Sequence, residues 1–68
     1  MQVKNILQLI EDPKIYIELK YTIDEGGGSF GFFTKNELYY NDKLKNKKIK
    51  KINIQYINNK RLLILEVI

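Results

Sequence analysis

Neither cysteine nor histidine occurs in the 68 residues of this chain, and tryptophan is missing as well. Without cysteine there is no disulfide framework and no thiolate ligand for a metal. Without histidine, Ser-His pairs, Cys-His pairs and imidazole–metal sites are excluded together. Proline occurs once, at Pro13, and arginine once, at Arg61. No apolar run approaches the ~20 residues of a membrane-spanning helix, and the start of the chain lacks the apolar core of a signal peptide. These absences predict a cytoplasmic protein that needs no cofactor and no metal. A chain this short has room for one domain, residues 1–68, burying only ~60% of its extended surface, so a deep catalytic cleft is hard to house.

What is present is lysine, and it is unevenly spread. Residues 1–42 hold four Lys against seven Asp or Glu, a net −3, while residues 43–68 hold seven Lys and one Arg against one Glu, a net +7; together they give the overall +4. The basic half is also the half with the clearest strand pattern. Lys48 to Ile68, KIKKINIQYINNKRLLILEVI, reads as a β-hairpin turning at Asn58-Asn59, since asparagine tolerates the positive φ of a two-residue type I′ turn. With that turn the register is fixed. Ile57 faces Lys60, Tyr56 faces Arg61, Ile54 faces Leu63, Ile52 faces Leu65 and Lys50 faces Val67. Lys51 then faces Glu66, Asn53 faces Ile64 and Gln55 faces Leu62. Ile52, Ile54, Leu63, Leu65 and Val67 are the expected core face. Leu62 and Ile64 fall on the other, polar face, so the last strand is apolar on both sides and is expected to be central or to meet a partner.

Upstream, Val3, Ile6, Leu7 and Ile10 have the spacing of an amphipathic helix over Met1 to Glu11, widened by Leu9 and ended by Asp12-Pro13. Its polar face lacks the Lys/Arg of a membrane-surface helix, which favours a helix laid on a sheet. Lys14 to Ile23 alternates strictly, with Ile15, Ile17, Leu19, Tyr21 and Ile23 on one side. Asp24 to Ser29 is read as a long hairpin loop, and Phe30 to Phe33 as the returning strand, with Phe30 and Phe32 filling the core and Phe33 and Tyr16 facing out. Thr34-Lys35-Asn36-Glu37 matches a capping box that opens a short helix over Lys35 to Tyr40, with Leu38 inward. Asn41 to Lys47 is a polar connection.

Three features are candidates for function. Gly26 to Gly28 resembles a phosphate-binding loop only superficially. It leads into a strand rather than a helix and carries Asp24 and Glu25, so a plain hairpin loop is favoured, with Gly27 at most in a protein contact. Lys43, Lys45, Lys47, Lys48, Lys50 and Lys51 form a cationic cluster suited to phosphates or an acidic protein, against the plainer reading of a solvated connection. Near-absence of arginine weighs against base reading. Tyr40 and Phe33 are aromatics that would join it as stacking or hot-spot groups, while Phe30 and Phe32 have the plainer reading of core filling. Leu62, Ile64 and Tyr16 are the candidate homo-oligomer interface. The carboxylates supply no positioned acid–base pair: Glu11 and Asp12 end a helix, Asp24 and Glu25 adjoin on a loop, and Glu18 and Glu66 lie on strands. An enzyme is not expected.

The segments MQVKNILQLIEDP and INIQYINNKRLLILEV, in a Lys/Asn/Ile-rich chain with two hairpins around a capped helix, resemble in style the small accessory proteins of phages and prophages, anti-CRISPR and other anti-defence inhibitors among them. That resemblance implies action by occupying a surface on a host protein or ribonucleoprotein complex, or by sequestering a nucleotide signal. The expectation is therefore an α+β domain with an N-terminal amphipathic helix packed on a four-stranded, mostly antiparallel sheet, in the order α-β-β-short α-β-β. It would serve as a non-enzymatic inhibitor and homodimer, with nucleic-acid or nucleotide binding through Lys43 to Lys51 as the alternative.

Overall fold

The computed structural model of the chain describes residues 1–23 and 26–68. Chain order is α1 (Val3–Leu7), β1 (Tyr16–Ile23), β2 (Gly26–Phe33), α2 (Lys35–Tyr39), α3 (Asp42–Lys45), β3 (Ile49–Ile57) and β4 (Lys60–Val67). The four strands form one mixed sheet in the order β2-β1-β4-β3. β1 pairs antiparallel with β2, β4 pairs antiparallel with β3, and the two hairpins join through a parallel β1–β4 contact. The molecule is 17 Å across in its thinnest direction. That is room for one helical layer on one face of a sheet and leaves the other face open.

The closing hairpin follows its sequence pattern closely. Asn58 and Asn59 have φ of 52° and 63°, the left-handed pair that a type I′ turn needs. From Ile57–Lys60 to Lys51–Glu66 the pairing is the one the pattern predicts. Beyond that the ladder slips, and Ile49 rather than Lys50 faces Val67. Lys50 is the extra residue of a bulge, which keeps a lysine off the core face and puts an isoleucine there.

The core lies between the helices and the middle of the sheet. Val3, Ile6 and Leu7 of α1, Leu38 of α2, Ile17 and Leu19 of β1, and Leu63, Leu65 and Val67 of β4 are buried, with Ile10, Ile15, Phe33, Leu44 and Ile49 packed at the margin. Each fully buried aliphatic side chain contributes about 1.5–3 kcal/mol relative to exposure. Ile52 and Ile54, expected in this core through their partners Leu65 and Leu63, are 46% and 53% exposed. The three short helices are too small to reach over β3 past Lys50, and the helix-side face of the strand from Lys51 to Ile57 stands uncovered.

Other expectations are corrected in the first half. The N-terminal helix is five residues long, not an amphipathic helix over Met1 to Glu11. Its intended first turn is extended instead: Gln2 bridges Lys48, the Val3 N–H donates to the Lys47 carbonyl at 2.9 Å, and the Met1 carbonyl accepts from Ile49 at 2.8 Å. Leu9 is exposed. Gly26 to Gly28 is ladder, paired with Ile23 to Tyr21, so the glycines are not a loop; Asp24 and Glu25 lie outside the described residues. A Cβ on Gly28 would stand 2.5 Å from the Tyr21 hydroxyl, because the tyrosine ring lies over that glycine. A bulge at Phe30, with Gly31 at φ 119°, then shifts the alternation of β2. Phe33 turns inward opposite Ile17, and Phe32 turns outward opposite Glu18. The capping box is formed, with Thr34 N–H donating to Glu37 at 2.9 Å and Glu37 N–H to Thr34 at 3.3 Å, and Leu38 is buried. The connection after it holds a further turn of helix, α3, capped by Asn41, whose Oδ1 accepts from the Leu44 N–H at 3.0 Å.

Because the turn depends on two asparagines at positive φ, Asn59→Gly should raise stability by up to about 1 kcal/mol and Asn59→Val should lower it by about 1–2 kcal/mol, read by urea denaturation. Equal stability of the two variants would remove the turn from the account of register.

Candidate binding surface

Strand alternation assigns the side chains that face away from the helices. They are Phe32 of β2, Tyr16, Glu18, Lys20 and Thr22 of β1, Lys60, Leu62, Ile64 and Glu66 of β4, and Lys51, Asn53, Gln55 and Ile57 of β3. At the hairpin-tip end, Tyr16, Phe32, Ile57 and Leu62 line one shallow depression, with Lys60 and Arg61 on its rim. Tyr16 pairs directly with Leu62, and Glu18 with Ile64. The sheet therefore brings Tyr16, Leu62 and Ile64 together on one open face. Phe32 and Ile57 complete this apolar patch; Phe32 is 61% exposed. Ile57 was legible, since the hairpin register puts it on the face of Leu62. Phe32 was not, because the Phe30 bulge reverses its side.

At the other end the same face is polar. Lys20, Thr22, Ser29, Lys51 and Glu66 line a groove. The Thr22 hydroxyl donates to the Glu66 carboxylate, and this bond holds Glu66 below the usual carboxylate range. Desolvation opposes the shift, while Lys50, Lys51 and Lys20 reinforce it. The face as a whole carries both signs, with Lys20, Lys51 and Lys60 interspersed with Glu18 and Glu66.

The six lysines of the cluster differ in their surroundings. Lys45 Nζ is 3.0 Å from Asp42 Oδ1 and 5.7 Å from the Tyr39 ring centre, while Lys47 Nζ lies 5.1 Å over Phe30. Both are half-buried and tied to the helical layer. Lys43, Lys48, Lys50 and Lys51 are exposed, and only Lys51 reaches the outer groove. Tyr40 is exposed and packs edge-on against Tyr39 at 5.3 Å. Phe33 is half-buried against the core, away from both lysines and patch. Gly27 is fixed in the ladder, where a Cβ would stand 2.4 Å from the Tyr21 carbonyl oxygen. Among the described residues, no three Asp or Glu gather in a way that could hold a metal, and no helix is long and apolar enough to cross a membrane.

Compared with models of known protein families, with curated proteins and with solved structures, the chain matches none.

A carboxylate whose folded pKa is depressed adds stability that is present above the ordinary glutamate value and is lost as pH falls through the lowered one. Thr22→Val should move the Glu66 pKa upward, toward the ordinary value, and narrow that window. Carbon-13 detection of the Glu66 side chain across an acid titration reads the shift, and an unchanged midpoint would dismiss the threonine as its main cause.

Proposed function

We propose that this chain is a non-enzymatic binding protein that pairs with a second copy of itself through the outer face of its sheet and, as that dimer, docks on a host macromolecular complex in the manner of small anti-defence inhibitors. The observation that carries this reading is the contiguous patch of Tyr16, Phe32, Ile57, Leu62 and Ile64 on a sheet face that no helix covers. Exposed aromatic and aliphatic side chains within a charged rim are the make-up of a protein–protein contact. Two features favour a second copy there. A flat sheet face packs well on its own two-fold mate, and the mixed signs of Glu18, Glu66, Lys20, Lys51 and Lys60 let each copy set its cations against the other's carboxylates.

The nucleic-acid reading has its own support. Tyr16 and Phe32 stand on neighbouring strands of an open sheet, with Lys20 and Lys60 on the same face, and aromatic platforms with nearby cations stack unpaired bases for about 1–3 kcal/mol per base.

Sedimentation across a range of concentrations should give a dimer for the native chain and a monomer for Leu62→Lys, which places a charge in the middle of the patch. A native chain that stays monomeric at the highest concentration sinks the dimer. Fluorescence anisotropy with a single-stranded oligonucleotide tests the second reading. Binding that weakens steeply with salt and falls about tenfold or more in Tyr16→Ala would replace the first reading with it.

A further inference from the structure

β3 is an edge strand whose backbone is half used. The two-residue turn makes Ile57 and Lys60 a hydrogen-bonded pair. Antiparallel alternation then makes Gln55–Leu62, Asn53–Ile64 and Lys51–Glu66 hydrogen-bonded as well. The remaining residues, Ile52, Ile54 and Tyr56, aim their N–H and C=O groups at the free edge. Their side chains are also largely free: Ile52 and Ile54 are about half exposed, and Tyr56 is 74% exposed. One row of residues thus presents unpaired backbone and uncovered apolar side chains together.

The chain already makes one antiparallel bridge to this edge farther back. Gln2, just before α1, bridges Lys48 antiparallel, with Val3 N–H donating to the Lys47 carbonyl and Ile49 N–H to the Met1 carbonyl. The Ile68 N–H donates to the Lys48 carbonyl from the opposite, β4 side at 3.0 Å, so Met1 to Val3 occupies the outer edge. Past the Lys50 bulge, among the described residues, that edge is open through Ile57.

The charge of the edge selects its occupant. β3 contains Lys50 and Lys51 and no acidic residue, Lys48 precedes it, and Lys60 and Arg61 follow the turn. Edge lysines disfavour pairing with a second copy, which brings the same cations. They favour an acidic strand, by the complementarity that sets specificity at interfaces.

The geometry points to the open edge of β3, from Lys51 to Ile57, as the site where an extended acidic segment of a partner protein adds as a fifth strand, its alternate apolar side chains lying beside Ile52, Ile54 and Tyr56. This rests on the reading of the chain as a binding protein, but not on the outer patch, since the edge row lies on the helix side of the sheet.

The probe is a synthetic peptide of alternating valine and glutamate, titrated into the isotope-labelled protein and followed by amide spectra and hydrogen exchange. Binding should slow exchange at Ile52, Ile54 and Tyr56. Affinity should fall about tenfold or more when lysine replaces glutamate in the peptide, and with rising salt. Ile54→Pro removes an N–H that no internal bond uses, so the fold should stand while peptide binding is lost at least tenfold. Absence of binding, equal binding of the lysine peptide, full binding by a folded Ile54→Pro, or shifts centred on Tyr16 and Leu62 would each overturn the proposal. So would protection of the same three amides that rises with protein concentration and no peptide, since the edge would then belong to a second copy. Leu62→Lys should leave peptide binding unchanged, which separates failure at the edge from failure of the dimer.

Discussion

Everything in this molecule hangs on β4 being bonded on both sides. It joins two hairpins that would each be marginal alone, pairing parallel with β1 and antiparallel with β3. Its helix-side residues, Leu63, Leu65 and Val67, are the buried centre of the core. Its other side, Leu62, Ile64 and Glu66, is half-buried in the open face. A strand apolar on both sides is what a central position requires.

Helical mass is the second constraint. Three helices of five, five and four residues cover the sheet from β2 to β4 and stop there. Past Lys50, β3 is left with one hydrogen-bonded edge and no cover, although it alternates apolar and polar like a half-buried strand. The outcome is two distinct surfaces. The outer face mixes charges of both signs around an apolar patch and suits a like partner, whereas the β3 edge bears only cations and suits an acidic one.

Much of this was legible because the turn and the two-residue period over-determine the hairpin. Asn58-Asn59 set the register, and Lys51 against Glu66 agreed with it. The capping box at Thr34 was legible for the same reason, as local chemistry with few alternatives. What was hidden depended on contacts distant in sequence. Gln2 became extended, bridging Lys48 on an edge that the helical spacing of Val3, Ile6 and Leu7 does not encode. The glycines stand in the β2 ladder, where the Tyr21 ring against Gly28 leaves no room for a Cβ. Single-residue bulges at Phe30 and Lys50 reversed the alternation on which sidedness is read, moving Phe32 out and Phe33 in. Asn41-Asp42 was a visible N-cap signal for α3, masked by the lysines that follow it.

The central claim is that β4 is fully bonded while β3, from Lys51 to Ile57, is bonded along one edge alone. Residue-resolved amide hydrogen exchange on the free monomer tests it most directly. Amides of Leu63, Leu65 and Val67 should exchange most slowly. Along β3, those of Lys51, Asn53 and Gln55 should be protected and those of Ile52, Ile54 and Tyr56 should exchange freely. Uniform protection along β3, or faster exchange in β4 than in β1, would contradict the account.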